Sequence, residues 1–281
     1  MAIKEIPACA GMTDRKMMNR IDEKFKELKA KKKKAFIAFI TAGYPDLKTT
    51  KELVLSFARV GVDIIELGVP FSDPLADGPT IQTASYKALQ KGITLEKILK
   101  LVAEIREISQ IPIVLMSYYN PIFYYGEKRF VECAKKCGVD GVIIPDLPPE
   151  EAKNLIVTAK KNDFSTVFFL SPTTKKPRIK NIVNASSGFI YFVSVSGVTG
   201  VRNQFSSSIK GKIIAVKKIT KKPICIGFGI STPQQVKTMS QISDGVIVGS
   251  AIVSEILKHE GRKDLVRKVS FFVSQLTSEL S

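Results

Sequence analysis

Two carboxylates, Glu66 and Asp77, are the side chains of this sequence best suited to moving protons. Glu66 ends a short apolar segment of strand-forming residues, and Asp77 follows eleven positions later in a stretch rich in proline and glycine. A glutamate that is partly removed from water has a raised pKa and can act as both acid and base near neutral pH. The pair therefore predicts general acid–base catalysis.

Each carboxylate also has a structural interpretation. Glu66 is alternatively a buried group whose oxygens are satisfied by local N–H donors. Asp77 is alternatively the N-cap of a helix that begins near Pro79, because aspartate is a preferred residue there. Asp46 is predicted to cap a helix or form a turn, and Asp146 is left open between a structural and a functional role.

Glycine-containing turns follow three consecutive predicted strands in the last third of the chain. These strands are Ile190–Val193, Ile224–Gly227 and Gly245–Val248. Glycine lets backbone N–H groups approach an anion closely, and a helix that starts at Gly249-Ser250 adds a favourable dipole. The three turns together predict a phosphate site, and the alternative is that the glycines only make tight turns.

Missing residue types narrow the chemistry further. The only histidine, His259, is predicted on the solvated surface, so no histidine triad and no His-rich metal site is available. No lysine lies at the carboxyl end of a predicted strand, which disfavours a Schiff base. Cys133 and Cys137 are not at zinc spacing, and the thiols are expected to be reduced. Carboxylate acid–base chemistry on a phosphorylated substrate remains, without a metal.

Short apolar segments alternate with amphipathic stretches along the chain, which predicts parallel strands joined by helices. Eight such units in 281 residues favour a single α/β domain, a (β/α)8 barrel of the TIM type. The alternative is an open doubly wound sheet, but no Gly-x-Gly-x-x-Gly follows the first strand. The predicted strands are Ala35–Thr41, Asp63–Glu66, Ile113–Met116, Gly141–Ile144, Val167–Leu170, Ile190–Val193, Ile224–Gly227 and Gly245–Val248.

The two ends of the predicted barrel are expected to have different functions. Active sites of such barrels lie at the carboxyl ends of the strands, where Glu66 and the glycine turns are found. Arg20–Lys32 is predicted to be an extra helix that covers the opposite end, the bottom. Residues 1–17 are predicted to be a disordered N-terminal extension, and residues 18–281 a single domain.

The formal charge of +17 is compatible with either a nucleic-acid surface or a lysine-rich solvated surface around an anion site. We favour the second interpretation and expect no nucleic-acid partner, because no RNA-binding motif is present. No apolar run approaches the roughly 20 residues that a membrane-spanning helix needs. A secretory or transit signal is also not evident, so a cytoplasmic enzyme without a membrane partner is expected.

Four segments of the sequence resemble the tryptophan synthase alpha chains. They are Phe39–Asp46, Glu66–Gln82, Ser194–Gly200 and Gly227–Ser231, and the resemblance extends from about Met18 to the C-terminus. The resemblance implies a TIM-barrel lyase of tryptophan biosynthesis that cleaves indole-3-glycerol phosphate to indole and glyceraldehyde 3-phosphate. In this retro-aldol reaction the indole ring accepts the electrons once its C3 is protonated.

The resemblance also implies a role for individual residues. Glu66 and Asp77 match the two catalytic carboxylates of the family. Glu66 is expected to transfer the protons, and Asp77 to stabilise positive charge that develops at the indole N–H. The residues that match the phosphate cradle are Gly200, Gly229, Gly249 and Ser250. The residues that match the lining of the indole and glycerol pocket are Phe39, Tyr118 and Tyr191.

Partners are implied in the same way. The family assembles with a tryptophan synthase beta chain into an α2β2 heterotetramer, and pyridoxal phosphate is expected only in the beta chain, so no cofactor is expected here. The loops Asp73–Pro79 and Val195–Arg202 resemble mobile loops that close the site and touch the partner. Two alternatives are a non-catalytic barrel that activates or binds a beta chain, and another phosphate-binding barrel enzyme.

Overall fold

The computed structural model of the chain describes residues 18–193, 202–227 and 229–280, the side chains of 202–208 excepted. Its strands form one sheet in which every recorded pairing is parallel. The strands are β1 (Ala35–Thr41), β2 (Ile64–Gly68), β3 (Ile113–Met116), β4 (Gly141–Ile143), β5 (Ser165–Val167), β6 (Phe169–Leu170), β7 (Ile190–Val193), β8 (Ile224–Gly227) and β9 (Gly245–Val248).

The sheet closes on itself through one interrupted strand. The hydrogen-bonded order runs β5-β4-β3-β2-β1-β9-β8-β7-β6, so β5 and β6 lie at its two ends. These two segments are separated in the chain by Phe168 alone, and the N–H of Tyr191 donates to the Phe168 carbonyl at 3.1 Å. The two ends are therefore halves of a single barrel strand. The predicted (β/α)8 barrel is confirmed, with its fifth strand starting at Ser165 and interrupted at Phe168.

The described helices surround the barrel, and four of them are additions to the simple strand–helix repeat. One of these, α1 (Arg20–Ala30), precedes β1. The other three, α3 (Pro79–Gln90), α5 (Tyr119–Tyr125) and α11 (Ser250–Lys258), each stand between a strand and the helix that returns the chain to the bottom of the barrel. The helices are α1 (Arg20–Ala30), α2 (Leu47–Arg59), α3 (Pro79–Gln90), α4 (Leu95–Arg106), α5 (Tyr119–Tyr125), α6 (Glu127–Lys136), α7 (Lys153–Lys161), α8 (Lys176–Ala185), α9 (Arg202–Lys217), α10 (Pro233–Ser240), α11 (Ser250–Lys258) and α12 (Leu265–Thr277), followed by a 3-10 turn at Ser278–Leu280.

Local capping chemistry sets several helix starts. The Asp46 carboxylate accepts a hydrogen bond from the Thr49 N–H at 2.7 Å and caps α2. Thr94 caps α4, and Thr232 forms a capping box at α10 with Pro233 in the first turn. Of the two roles predicted for Asp46, a helix cap or a turn, the structure shows the cap.

Helix α1 covers the bottom of the barrel, as predicted. Its side chains Ile21, Phe25 and Leu28 pack onto the apolar cluster inside the barrel, and the Phe25 ring lies 5.9 Å from the Phe189 ring. The buried Asp140 carboxylate at the start of β4 binds Arg20 of this helix at 2.7 Å. The helix therefore closes the end of the barrel that lies opposite the carboxyl ends of the strands.

His259 is not solvated, so that prediction is wrong. The residue follows α11 as its C-cap and is only 7% exposed, because the chain turns there to pack α12 against the barrel. Its Nε2 atom lies 2.8 Å from the Glu255 carboxylate.

None of the helices in the described part of the chain combines the length and the apolar character that a membrane span requires.

Candidate active site

Glu66 lies inside the barrel near the carboxyl end of β2. Ile64, two positions earlier on the same strand, belongs to the interior apolar cluster, and alternate strand residues point the same way. The Glu66 side chain is 1% exposed, and its Oε2 atom has no hydrogen-bond partner among the described residues. Burial, and secondarily the negative charge of Asp77, raise the pKa of Glu66 to about 8. The carboxyl group is therefore mostly protonated at neutral pH.

Asp77 lies in the loop between β2 and α3 and does not cap the helix. The N-cap residue of α3 is Gly78, and no side chain makes the cap hydrogen bond. Instead, its carboxylate lies beside the Tyr118 hydroxyl. Burial raises the pKa of Asp77 to about 6, while the Tyr118 hydroxyl acts in the opposite direction. Asp77 is therefore mostly ionised at neutral pH.

The two carboxyl groups are close enough for the charge on Asp77 to raise the pKa of Glu66. Their different surroundings separate the two pKa values, about 8 for the enclosed Glu66 and about 6 for Asp77 beside the Tyr118 hydroxyl. Pairs of titratable groups separated in this way are able to divide the roles of proton donor and anionic stabiliser. The site thus contains one neutral acid and one anion at pH 7.

Tyr118 connects the end of β3 to the Asp77 loop. Its hydroxyl accepts a hydrogen bond from the Ala76 N–H at 2.8 Å and lies beside the Asp77 carboxylate, whose pKa it lowers. Its ring stacks on Phe71, with centroids 5.2 Å apart and an angle of 27° between the planes. The sequence predicted Tyr118 as a pocket residue and missed this contact with the loop. The signal available was that Phe71 and Tyr118 follow neighbouring strands.

Two further aromatic residues stand inside the barrel mouth. Tyr191 on β7 is buried, and its ring centroid lies 4.7 Å from that of Phe169, which the sequence analysis did not single out. Burial, followed by the charge of Glu66, raises the pKa of Tyr191 well above its usual range. A Cβ atom at Gly227 would lie 2.5 Å from the Tyr191 hydroxyl oxygen, so the ring requires glycine at that position.

The Phe39 ring on β1 also requires a glycine beside it. It pairs in register with Glu66, and a Cβ atom added at Gly68 would lie 2.6 Å from its ring. Thr41, two residues further along β1, also faces inward and has a buried hydroxyl without a partner in the described part of the chain. The Phe39 ring and two buried polar atoms, the Thr41 hydroxyl and Glu66 Oε2, thus lie on the inward side of neighbouring strands.

The predicted phosphate cradle is described in part. Gly229 follows β8 with φ +71°, Gly249 is the N-cap of α11, and Ser250 is the first residue of that helix. Since β8 and β9 are paired neighbours, these two turns lie side by side at the mouth. The first N–H groups of α11 receive no side-chain cap and are available to an anion. Gly200 and the predicted loop at 195–201 lie outside the described residues.

An apolar cavity of about 790 Å³ opens beside the mouth, at the carboxyl ends of β4 and β6. Phe169 and Val193 line it, which places it next to Tyr191, whereas Glu66 and Asp77 are not part of its wall. Asp146 borders this cavity, and its carboxylate accepts a hydrogen bond from the Tyr119 N–H at 2.8 Å, at the start of α5. Asp146 therefore has a structural role at that helix.

No group of three or more His, Cys, Asp or Glu side chains within the described ranges is arranged to hold a metal ion. The closed parallel barrel, with two carboxyl groups of different pKa at its mouth and an uncapped helix start, defines a (β/α)8-barrel protein equipped for acid–base chemistry.

The comparisons with known proteins identify the family. A family model described as tryptophan synthase alpha chain matches residues 25–280. The chain is 47% identical over 264 residues to the tryptophan synthase alpha chain of Geotalea daltonii, covering 94% of this chain and 100% of the relative. It is 48% identical over 263 residues to that of Thermoanaerobacter sp. strain X514, again covering 94% and 100%. The chain belongs to the tryptophan synthase alpha chain family.

Solved structures agree with this assignment. Subunit alpha of tryptophan synthase from Legionella pneumophila superposes with a TM-score of 0.87 at 36% identity, covering 94% of this chain and 99% of that one. Tryptophan synthase from M. tuberculosis in its aminoacrylate-bound form gives 0.84 at 29% identity, covering 94% and 100%. The family membership makes this chain a carbon–carbon lyase of tryptophan biosynthesis, with the retro-aldol cleavage of indole-3-glycerol phosphate as its reaction.

Proposed function

We propose that Glu66 is the proton-transferring residue of this lyase and that Asp77 stabilises the positive charge on the substrate. The observation that carries the proposal is the buried Glu66 carboxyl group, whose Oε2 atom has no protein partner among the described residues and whose pKa is about 8. A protonated acid whose oxygen atom is not engaged by a described protein group can give its proton to a substrate and afterwards take another back.

The reaction follows from this arrangement. Glu66 donates its proton to C3 of the indole ring, and the resulting cation places positive charge on the ring nitrogen, where the Asp77 carboxylate accepts the N–H. The Glu66 carboxylate then removes the proton from the hydroxyl on the carbon attached to C3. The bond between these two carbons breaks, its electrons return to the ring, and indole and glyceraldehyde 3-phosphate result. Glu66 ends protonated, as it began.

The remaining groups bind the two ends of the substrate. Phe39 and Tyr191 offer apolar faces to the flat indole ring, beside the Tyr118 that holds the Asp77 loop. The phosphate group is placed at the N–H groups around Gly229, Gly249 and Ser250, and Gly200 is proposed to complete this cradle from its own turn. The substrate then spans the mouth from the carboxylates to α11.

We also propose the assembly state and compartment of the chain. Exposed apolar side chains on the Asp77 loop and on α5, namely Leu75 (94% exposed), Phe123 (66%) and Tyr124 (93%), favour a protein partner at the mouth. The partner proposed is a tryptophan synthase beta chain in an α2β2 complex, with pyridoxal phosphate held only by the beta chain. Residues 18–281 are proposed to act as one domain in the cytoplasm, with 1–17 as an extension.

The direct test is release of indole from indole-3-glycerol phosphate, measured with and without a purified beta chain. We expect slow release by the isolated chain and faster release in the complex, together with co-elution of the two chains. A chain that accelerates its beta partner but releases no indole itself would support the non-catalytic alternative and contradict the roles given to both carboxylates.

A further inference from the structure

Two of the added helices, α3 and α11, pack against each other across the mouth of the barrel. Helix α3 begins at Pro79, two residues after Asp77, and α11 begins at Ser250 in the proposed phosphate cradle. Neither helix belongs to the basic strand–helix repeat. Their mutual packing therefore connects the carboxylate loop with the phosphate-binding turn.

A cluster of three side chains, Tyr44, Lys87 and Glu260, joins these helices; we call it the Tyr44 cluster. The Tyr44 hydroxyl donates to the Glu260 carboxylate at 2.8 Å, and the Lys87 ammonium group binds the same oxygen atom at 2.5 Å. The ammonium nitrogen also lies 5.7 Å from the centre of the Tyr44 ring. Lys91, one turn further along α3, donates to the Pro45 carbonyl at 2.6 Å.

The cluster links three separate parts of the mouth. Tyr44 belongs to the loop after β1, Lys87 to the last turn of α3, and Glu260 to the turn just after α11. The loop is itself packed closely, because a Cβ atom added at Gly43 would collide with the Ile93 side chain. Tyr44 is 1% exposed and therefore gives both helices a fixed point of attachment.

Global stability does not explain these contacts well. The Lys87 and Glu260 side chains are 38% and 33% exposed, and ion pairs this accessible contribute little to folding. The position of the contacts is more informative, since they fix one helix relative to the other. A substrate held at its phosphate by α11 and at its ring nitrogen by Asp77 reacts at a rate that depends on the distance between these two anchors.

We propose, given the function proposed above, that Tyr44, Lys87 and Glu260 are positioning residues that hold α3 against α11 and so set the distance between Asp77 and the phosphate cradle. Binding of an anion at the start of α11 is then coupled to order in the loop at 71–78. Coupling of this kind requires a physical connection that both sites influence, and the Tyr44 cluster provides it.

Kinetics of three variants test the proposal. Lys87→Met removes the ion pair, Tyr44→Phe removes one hydroxyl without changing any charge, and Lys87→Arg keeps the charge. We expect kcat/KM for indole-3-glycerol phosphate to fall by about 5-fold or more in Lys87→Met and Tyr44→Phe. In Lys87→Arg it should stay close to the wild-type value. Lys51→Met is the matched control, because it breaks an ion pair of 3.1 Å between α2 and α4, away from the mouth.

Hydrogen exchange with inorganic phosphate gives a readout that does not depend on turnover. In the wild-type chain we expect phosphate to slow amide exchange both at the start of α11 and in the loop at 71–78. In Lys87→Met and Tyr44→Phe, protection at α11 should remain while protection of the loop is lost. Equal loop protection in the wild type and both variants, or none in the wild type, overturns the proposal.

The two proposals fail in different ways. A wild-type chain that releases no indole and shows no phosphate protection at α11 contradicts the proposed function. An active wild-type chain whose Lys87→Met and Tyr44→Phe variants retain its kcat/KM contradicts only the positioning role. Unfolding curves for all variants check that each remains folded under the assay conditions.

Discussion

The Tyr118 hydroxyl accepts a hydrogen bond from the Ala76 N–H at 2.8 Å and lies beside the Asp77 carboxylate, whose pKa it lowers. A residue that follows one barrel strand thereby holds the loop that follows the adjacent strand. This contact explains how Asp77 keeps its place although it caps no helix, and why its pKa rises less than burial alone would produce.

Removal of the acid at position 66 should stop the reaction. Glu66→Gln has the same shape but cannot transfer a proton, so we expect kcat to fall by about 10²- to 10⁴-fold, the usual contribution of general acid–base catalysis. Indole release and phosphate-dependent protection of α11 should be measured on the same preparation. Retained turnover in a folded variant would remove Glu66 from the mechanism.

The dependence of activity on pH should be bell-shaped. Asp77 must be ionised, which requires a pH above about 6, and Glu66 must be protonated, which requires a pH below about 8, so kcat/KM should be highest near neutrality. Because the two groups interact, the measured values belong to the pair. Asp77→Asn should lower the rate strongly and abolish the acidic limb; an acidic limb that persists in this variant belongs to another group.

The stability of the fold should also depend on the protonation state of Glu66. Its pKa is about 8 in the folded chain and near 4.5 when exposed to water, so between these values the folded state holds a proton that the unfolded state has lost. Its contribution to the free energy of unfolding is fully present below pH 4.5 and falls as the pH rises through 8. Urea titrations at pH 5, 6, 7 and 8 should show a smaller decline for Glu66→Gln than for the wild type. Equal declines in stability for the wild type and Glu66→Gln would indicate that Glu66 is exposed to water in the folded state.

Loss of the Tyr118 hydroxyl should act through Asp77. In Tyr118→Phe the stacking on Phe71 is kept, but the hydroxyl that lowers the Asp77 pKa is lost. The acidic limb of the kcat/KM profile should therefore move to higher pH, and amide exchange at Ala76 should become faster. Tyr119→Phe is the matched control, because the Tyr119 hydroxyl binds Glu127 at 3.1 Å outside the site. Identical pH profiles of kcat/KM for Tyr118→Phe and Tyr119→Phe would show that the Tyr118 hydroxyl does not lower the Asp77 pKa.

A negative charge in the phosphate cradle should weaken substrate binding without harming the helix. Aspartate is favourable in the first turn of a helix, so Ser250→Asp should leave the melting temperature unchanged or higher. The same charge should repel the substrate phosphate and raise KM by about 10-fold or more, the effect of losing one charge-assisted contact. An unaltered KM would place the phosphate elsewhere.

Much of the fold follows from the sequence because its signals are short in range. Continuous apolar segments predicted the strands, and Asp46, predicted as a helix cap or a turn residue, caps α2. The position of Glu66 at the end of an apolar strand was enough to predict a buried carboxylate in the barrel mouth. In each case the outcome depends on a few adjacent residues and on which of them avoid water.

Only the tertiary structure decided the relationships between distant segments. Asp77 could be a cap or a site residue until Gly78 was found at the helix start and Tyr118 at its carboxylate. The burial of His259, and the contact of Tyr44 with Glu260 across 216 positions, are invisible to local patterns for the same reason. Side-chain contacts and dielectric surroundings arise where separate strands and helices meet, and closure of the barrel determines which of them meet.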